Sequence, residues 1–166
     1  MGIAMKLSDY LKANEVQYEM VQHSHSGNSM QTARASNVPA RCLAKAVVVV
    51  LEDDNHAVMA VLPASRRLQL RELQESNGAT LRLATEAELK QLFKDCEPGA
   101  VPPLGAVYGL ETIWDDSLLE QPETYFEAGD HETLVRMKTR DFIGLLKGAR
   151  HMAFSAQIGE EHRPLF

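Results

Sequence analysis

Apolar residues crowd most densely in Cys42-Leu43-Ala44-Lys45-Ala46-Val47-Val48-Val49-Val50-Leu51, where an apolar run follows a single lysine. Four consecutive valines favour a strand, because β-branched side chains suit a pleated surface and lose rotamer freedom in a helix. Alternate strand residues point to opposite faces. Here both faces are apolar, so both are expected to be covered, as in a central strand. The pattern predicts this strand over 45–51, a turn over 52–55 and a hairpin partner over 56–62, closed by Pro63.

The flanking pattern alternates helices and short strands. Leu7, Tyr10 and Leu11 stand at helical spacing within 6–14. Residues 16–23 alternate through Val16, Tyr18 and Met20, as in a short edge strand. The polar loop His23-Ser24-His25-Ser26-Gly27-Asn28-Ser29 follows, with Ser29 placed to cap a helix over 30–36 that Asn37 and Pro39 end. Ser65 is placed to cap a helix through Leu68, Leu70 and Leu73 to Asn77-Gly78. Residues 81–84 read as a strand. Thr85 with Glu88 three residues on is a capping-box pattern for a helix reaching about Phe93. Residues 107–110 and 112–114 are strand-like, and Asp115-Asp116-Ser117 opens a short helix or loop. Residues 124–128 and 133–137 read as a hairpin turned by Gly129-Asp130-His131. Thr139 is placed to cap a last helix over 140–147, stopped by Gly148. The mixture makes an α+β fold, with one domain over 1–154 and a loosely held C-terminal tail over 155–166.

Composition narrows the class. A length of 166 residues suits one domain. No apolar run approaches the ~20 residues that span a bilayer, and Met1-Gly2-Ile3-Ala4-Met5-Lys6 lacks the apolar core of a signal peptide. A cytoplasmic chain without membrane contact is expected. The net charge of −6 argues against a general nucleic-acid coat, DNA included, which would present a broad basic face. It leaves room for a local basic mouth: Arg34, Arg41, Lys45, Arg66, Arg67 and Arg71 crowd one third of the chain. Cys42 and Cys96 lack C-x-x-C spacing and fit reduced thiols rather than a disulfide or zinc site. No metal or other cofactor is expected.

Four features can carry chemistry. Lys45 stands at the mouth of the central strand, either reaching for water or fixed to hold an anion or a polarised oxygen. The stretch Gly99-Ala100-Val101-Pro102-Pro103 is either a stiff connector or a ligand-facing loop. There the amides of Gly99, Ala100 and Val101 can point at a carbonyl oxygen, while the prolines cannot donate. Gly129-Asp130-His131 is a turn whose histidine can bind or move a proton. His23-x-His25 has metal-like spacing, but no third ligand follows nearby, which favours a plain loop. No G-x-S-x-G elbow or Gly-rich phosphate loop is present.

With these residues placed, the chain resembles the YbaK / prolyl-tRNA synthetase-associated family of aminoacyl-tRNA editing domains. The resemblance spans about residues 5–150. It rests on Lys45 leading into Ala46-Val47-Val48-Val49 and on Val61-Leu62-Pro63-Ala64 with Leu68-Gln69-Leu70. Leu83-Ala84-Thr85-Glu86-Ala87-Glu88-Leu89 and Tyr125-Phe126-x-Ala128-Gly129-x-His131 add to it, as does Asp141-Phe142. Above all it rests on Gly99-Ala100-Val101-Pro102-Pro103, which matches the family's G-x-x-x-P loop. The resemblance implies a mixed, strongly curved sheet surrounded by helices, and hydrolysis of the ester joining a wrong amino acid to a tRNA 3′ end. It makes Lys45 the essential residue, holding the terminal adenosine's phosphate, and Gly99 the head of a loop that positions the aminoacyl carbonyl. Water is activated with help from the substrate's ribose hydroxyl. The substrate-binding set is then Ala100, Val101, Pro103, Gly129, His131 and His25. The partners are the aminoacyl-tRNA 3′ end and, where grip is borrowed, an aminoacyl-tRNA synthetase. Members that edit Cys-tRNA often have Gly-Gly at the loop start, whereas Pro98-Gly99-Ala100 stands here. The amino acid therefore stays open among alanine, serine, threonine and cysteine. A non-catalytic tRNA- or synthetase-binding module on the same fold is the alternative.

Overall fold

The computed structural model describes residues 3–158. Its helices are α1 (Met5–Ala13), α2 (Ser29–Ser36), α3 (Leu70–Asn77), α4 (Glu86–Leu92) and α5 (Thr139–Leu145). Its strands are β1 (Glu19–Gln22), β2 (Leu43–Leu51), β3 (His56–Pro63), β4 (Arg66–Leu68), β5 (Leu81–Leu83), β6 (Glu111–Asp115), β7 (Glu123–Glu127), β8 (Thr133–Lys138), β9 (Arg150–Met152) and β10 (Ser155–Gln157). Short 3₁₀ turns occupy Ala40–Cys42, Gly105–Tyr108 and Asp116–Glu120. Among the described residues no helix is long and apolar enough to cross a membrane.

The valine strand is β2, and it lies at the centre of a mixed α+β architecture. Antiparallel β3 follows one edge of it from Ala44 to Leu51. The other edge is shared. Parallel β7 pairs at Leu43 and Ala44, and antiparallel β5 pairs from Val49 to Leu51. The 8-stranded sheet runs β1-β8-β7-β2-β3-β6-β9, with β5 beside β2. β3–β6 and β6–β9 are parallel, while β7–β8 and β1–β8 are antiparallel.

The apolar pattern required both faces to be covered, and they are. Met59 and Val61 of β3 join Val48, Leu7 and Leu11 of α1, Phe126 and Phe142 of α5 in one core. Val58, Ala60 and Leu62 pack on the other side with Val49, Leu73, Ile113 and Phe154. The period-two alternation of β3 separates the two sets. Burying each large side chain contributes roughly 1.5–3 kcal/mol, so β2 and β3 are the stiffest support the chain offers a site.

Several local expectations are corrected, each by a long-range contact or a neighbouring donor. Helix α3 starts at Leu70 rather than after Ser65, because Arg66–Leu68 pairs with Ser155–Gln157. Arg66 secures that pairing by donating to the Ser155 hydroxyl at 2.7 Å and to its carbonyl at 3.0 Å. Residues 155–157 are thus held in a strand, not loose; residues 159–166 lie outside the described residues. Residues 107–110 lie in a 3₁₀ turn and loop rather than a strand, with Gly109 at a left-handed φ of 69° ending the turn. Asn28, not Ser29, caps α2 by accepting the Gln31 N–H at 3.0 Å. The Thr139 hydroxyl donates to the Gln121 carbonyl at 2.6 Å instead of capping α5. Both bonds of the expected capping box form at Thr85 and Glu88.

Asp115 ties β6 to the last strands. It is 2% exposed, and its carboxylate accepts from the Ser117 N–H at 3.1 Å, the Ser117 hydroxyl and the Phe154 N–H at 2.8 Å. Asp115→Ala leaves the buried Phe154 N–H without an acceptor, and hydrogen bonds to charged groups are strong. A loss of about 2–3 kcal/mol is expected, read as a lower urea midpoint at unchanged slope. A midpoint equal to the parent's would mean this carboxylate does not fasten the C-terminal strands.

Candidate functional site

The shared edge of β2 leaves a gap in the sheet. Pairing with β7 stops at Ala44 and Phe126, and pairing with β5 begins at Val49. Over residues 45–48, no strand among the described residues lies on that side. One bond reaches across, from the Ala84 N–H to the Val48 carbonyl at 2.9 Å. A cleft of about 250 Å³ occupies the gap. It is walled by residues 44–48, by Leu83, Ala84 and Leu89, by Ser29, by Gly99 and Val101, and by Glu127.

Lys45 is the third residue of β2, inside the strand rather than at its mouth. It is partly buried, and its ammonium has no hydrogen-bond or ion-pair partner among the described residues. Burial pushes its pKa down, and the charge of nearby Arg67 pushes the same way. The next residue of β7 after its last pair with β2 is Glu127, as Lys45 is the next of β2, and both line the cleft. The Glu127 side chain is 6% exposed. One oxygen accepts from the Thr32 hydroxyl at 2.6 Å, and the other, Oε2, is buried without a partner. Burial raises the Glu127 pKa; Thr32, His131 and His23 oppose that shift, and Asp130 adds to it. No ion pair joins Glu127 to Lys45, although both residues line the cleft.

The loop opposite is built on a tight turn. Pro98 and Gly99 are its central residues, Gly99 has φ 81°, and the Ala100 N–H closes it on the Glu97 carbonyl at 3.1 Å. Proline at the second position and a left-handed glycine at the third define a type II turn. The turn consumes the Ala100 amide, so that residue cannot donate to a carbonyl as expected; its side chain is 0% exposed. The Gly99 and Val101 amides find no acceptor among the described residues, and both residues line the cleft. Pro103 is buried beneath the loop.

His131 locks this turn from behind. It is 4% exposed and carries a left-handed φ of 59°, uncommon for a residue with a side chain. Its Nε2 bonds the Pro98 carbonyl. Asp130 holds the bend by accepting the Glu132 N–H at 2.9 Å and the Thr133 N–H at 2.8 Å. Gly129, at φ 119°, gives its carbonyl to the Glu97 N–H at 2.8 Å. His25 stacks edge-on against His131 with ring centroids 5.6 Å apart and bonds Glu97 at 3.1 Å. Gly129, His131 and His25 therefore brace the loop, while Lys45, Gly99 and Val101 face the cleft.

Among the described residues no cluster of three His, Cys, Asp or Glu side chains could hold a metal. His23 instead bonds the Ser24 carbonyl at 2.7 Å. Purified protein is expected to contain only trace zinc and nickel; a stoichiometric metal lost on His25→Ala would refute this. Thiol chemistry is no better placed. Burial pushes the Cys96 thiol up to about 12 and also raises Cys42, and a nucleophilic cysteine needs the opposite shift. A larger groove of about 930 Å³ lies away from the cleft, near Tyr18 and Arg140. Its Arg136 is already paired with Glu123 at 2.6 Å and Glu19 at 3.1 Å, which leaves less charge for a ligand.

Sequence reasoning missed Glu127. It reads as one position of an alternating strand, and its weight comes from the fold, which lays β7 along β2 and brings Glu127 and Lys45 to one cleft. Ser29, Leu83, Ala84 and Leu89 were missed for the same reason. The acid beside Ala128-Gly129 was the available signal.

The family model of the aminoacyl-tRNA editing domain matches residues 23–145. Among solved structures, the chain is similar to a hypothetical protein, with TM-score 0.80 and 21% identity over 91% of this chain and 99% of that one. It is also similar to a proposed trans-editing enzyme for prolyl-tRNA synthetase, with TM-score 0.77 and 24% identity over 92% and 96%. A proposed signal transduction protein from Marinobacter aquaeolei VT8 gives TM-score 0.74 and 19% identity over 92% of this chain and 30% of that one. At these identities the likeness is one of fold. No curated protein matches the chain.

Proposed function

The chain belongs to the aminoacyl-tRNA editing domain family, and from that premise we infer that it is a deacylase, acting in trans on the ester of a mischarged tRNA. The observation that supports this is one cleft lined by a partly buried lysine and a glycine-headed loop, with the ammonium and two loop amides unpaired among the described residues. Lys45 holds a phosphate of the terminal adenosine. The Gly99 and Val101 amides take the aminoacyl carbonyl oxygen, on which negative charge develops as water adds. The ester C–O bond then breaks, releasing the amino acid and the ribose hydroxyl of the tRNA. Water is the nucleophile, helped by the neighbouring ribose hydroxyl. The cleft, about 250 Å³, falls below the ~300–1,000 Å³ of sites for drug-sized ligands and suits a small residue: alanine, serine, threonine or cysteine. With a net charge of −6, the chain grips tRNA locally, and a synthetase partner supplies the remaining hold.

The test is a deacylation screen with tRNAs charged with alanine, serine, threonine and cysteine. Release of at least one amino acid, above the spontaneous rate and proportional to enzyme, is expected. Binding of charged tRNA without release would establish the non-catalytic module instead.

A further inference from the structure

We propose that Glu127 is a specificity residue that recognises the α-ammonium of the aminoacyl group through its unpartnered carboxylate oxygen. This rests on the deacylase reading and goes beyond it, because it says which charge state the site selects. Glu127 and Lys45 both line the cleft, each one position past the last β2–β7 pair on its strand. Its Oε1 is satisfied by Thr32, and its Oε2 has no donor among the described residues. The nearest titratable neighbour supplies none. A carbonyl only accepts, so His131 Nε2 carries the hydrogen it shares with Pro98. The other ring nitrogen, Nδ1, lies 4.0 Å from Glu127 Oε1 and is itself buried without a partner.

A buried carboxylate oxygen with no donor among the described residues calls for a cationic donor with several hydrogens. The hydrolysed ester carries one in its α-ammonium, a few bonds from the carbonyl held by Gly99 and Val101. A peptidyl, formylated or deaminated ester lacks that cation and leaves Oε2 of the acid unpaired. Such a site selects sharply, because a buried polar group left without its partner costs far more than a lost apolar contact. Glu127 also bears a stability cost that an apolar residue would not. Its pKa is raised by burial, against Thr32 of α2, His131 and His23, with Asp130 adding to it. The folded chain therefore holds this proton more tightly than the unfolded one. The stability this gives is present below the unfolded pKa and is lost as pH rises through the folded value. Once ionised, the acid is a burden on the fold.

The experiment uses two acceptor-stem RNAs with a hydrolysis-resistant amide at the 3′ adenosine, one aminoacyl and one with a hydroxyl replacing the α-amine. Binding is measured for the parent and Glu127→Gln, beside hydrolysis of the matching aminoacyl and hydroxyacyl esters. The parent should prefer the ammonium form. Glu127→Gln should erase that preference, losing roughly 10- to 150-fold on the ammonium form, the range of a charge-assisted hydrogen bond, and little on the hydroxyl form. Its Tm at pH 7 should be no lower than the parent's. A preference unchanged in Glu127→Gln, or equal losses on both forms, overturns the proposal; equal losses would mark a proton-transfer or structural role. If the parent hydrolyses no ester, the deacylase reading fails, while the binding comparison still decides whether Glu127 reads the ammonium.

Discussion

Lys45→Ala is expected to lose 10- to 150-fold or more in the hydrolysis of mischarged tRNA while keeping its fold. The lower figures follow from one charge-assisted contact, worth roughly 1.5–3 kcal/mol at ~1.4 kcal/mol per decade. Misplacing the ester would add to them. The fold survives because β2 is held by β3 along its length and by two cores, neither of which includes this side chain. Lys45→Arg keeps the charge but changes its shape, so it should restore activity only in part. Binding and single-turnover rate, measured separately, will show whether the lysine acts in holding or in orienting. There is also a signature in pH. Burial and Arg67 lower the Lys45 pKa, so its charge disappears at a lower pH than that of an ordinary lysine. Enzymatic hydrolysis, corrected for spontaneous loss, should decline as pH rises through that lowered value. Lys45→Arg should not show the decline. A Lys45→Ala variant keeping more than half the parent's rate at subsaturating tRNA would reduce Lys45 to a structural position and remove the mechanism proposed here.

Gly99→Val should have a comparable effect by a different route. The turn needs a left-handed residue, and Gly99 has φ 81°. A β-branched side chain is a severe misfit there. A Cβ would also meet the His131 ring at 3.3 Å and 3.4 Å, against a histidine fixed by Pro98. The chain resolves this by re-forming the turn, which moves the two amides that face the cleft. Loss of one donor to a developing oxyanion costs about 10²–10³ in rate, and that is the expected fall. Since Pro98 and Gly99 are exposed, the re-formed turn stays at the surface and circular dichroism should match the parent. Equal rates would mean that the loop only connects α4 to the following 3₁₀ turn.

The parts of the fold that could be read from the sequence are those whose signals are local. The two-sided apolar character of β2 and β3, the capping box at Thr85 and the β7–β8 hairpin each lie within a few residues. The short strands β4, β9 and β10 carry no such signal. Three residues cannot show a period, and their pairing is decided by Arg66, Asp115 and Phe154 across the chain. The candidate site divides the same way. Lys45 and the glycine-proline loop stand out by residue type. That Ala100 spends its amide on a turn, that His131 braces rather than faces the cleft, and that Glu127 lines the same cleft as Lys45 all depend on dihedral angles and strand register. No spacing of residue types encodes these.

The gap along β2 has a consequence for how the molecule behaves among its own kind. A valine-rich strand with open backbone on one side is a template on which a second extended chain can add, the route to swapped dimers and aggregates. Three features limit that here. The open stretch is only residues 45–48, shorter than the six- or seven-residue segments that zip into stable stacks. The strands β7 and β5 close both of its ends, and an intruding strand would have to bury the charge of Lys45. The lysine that the site proposal assigns to a phosphate thus also guards the sheet against self-association. On the proposed reading its removal would cost solubility as well as activity, and Lys45→Ala is expected to self-associate more than the parent at high concentration.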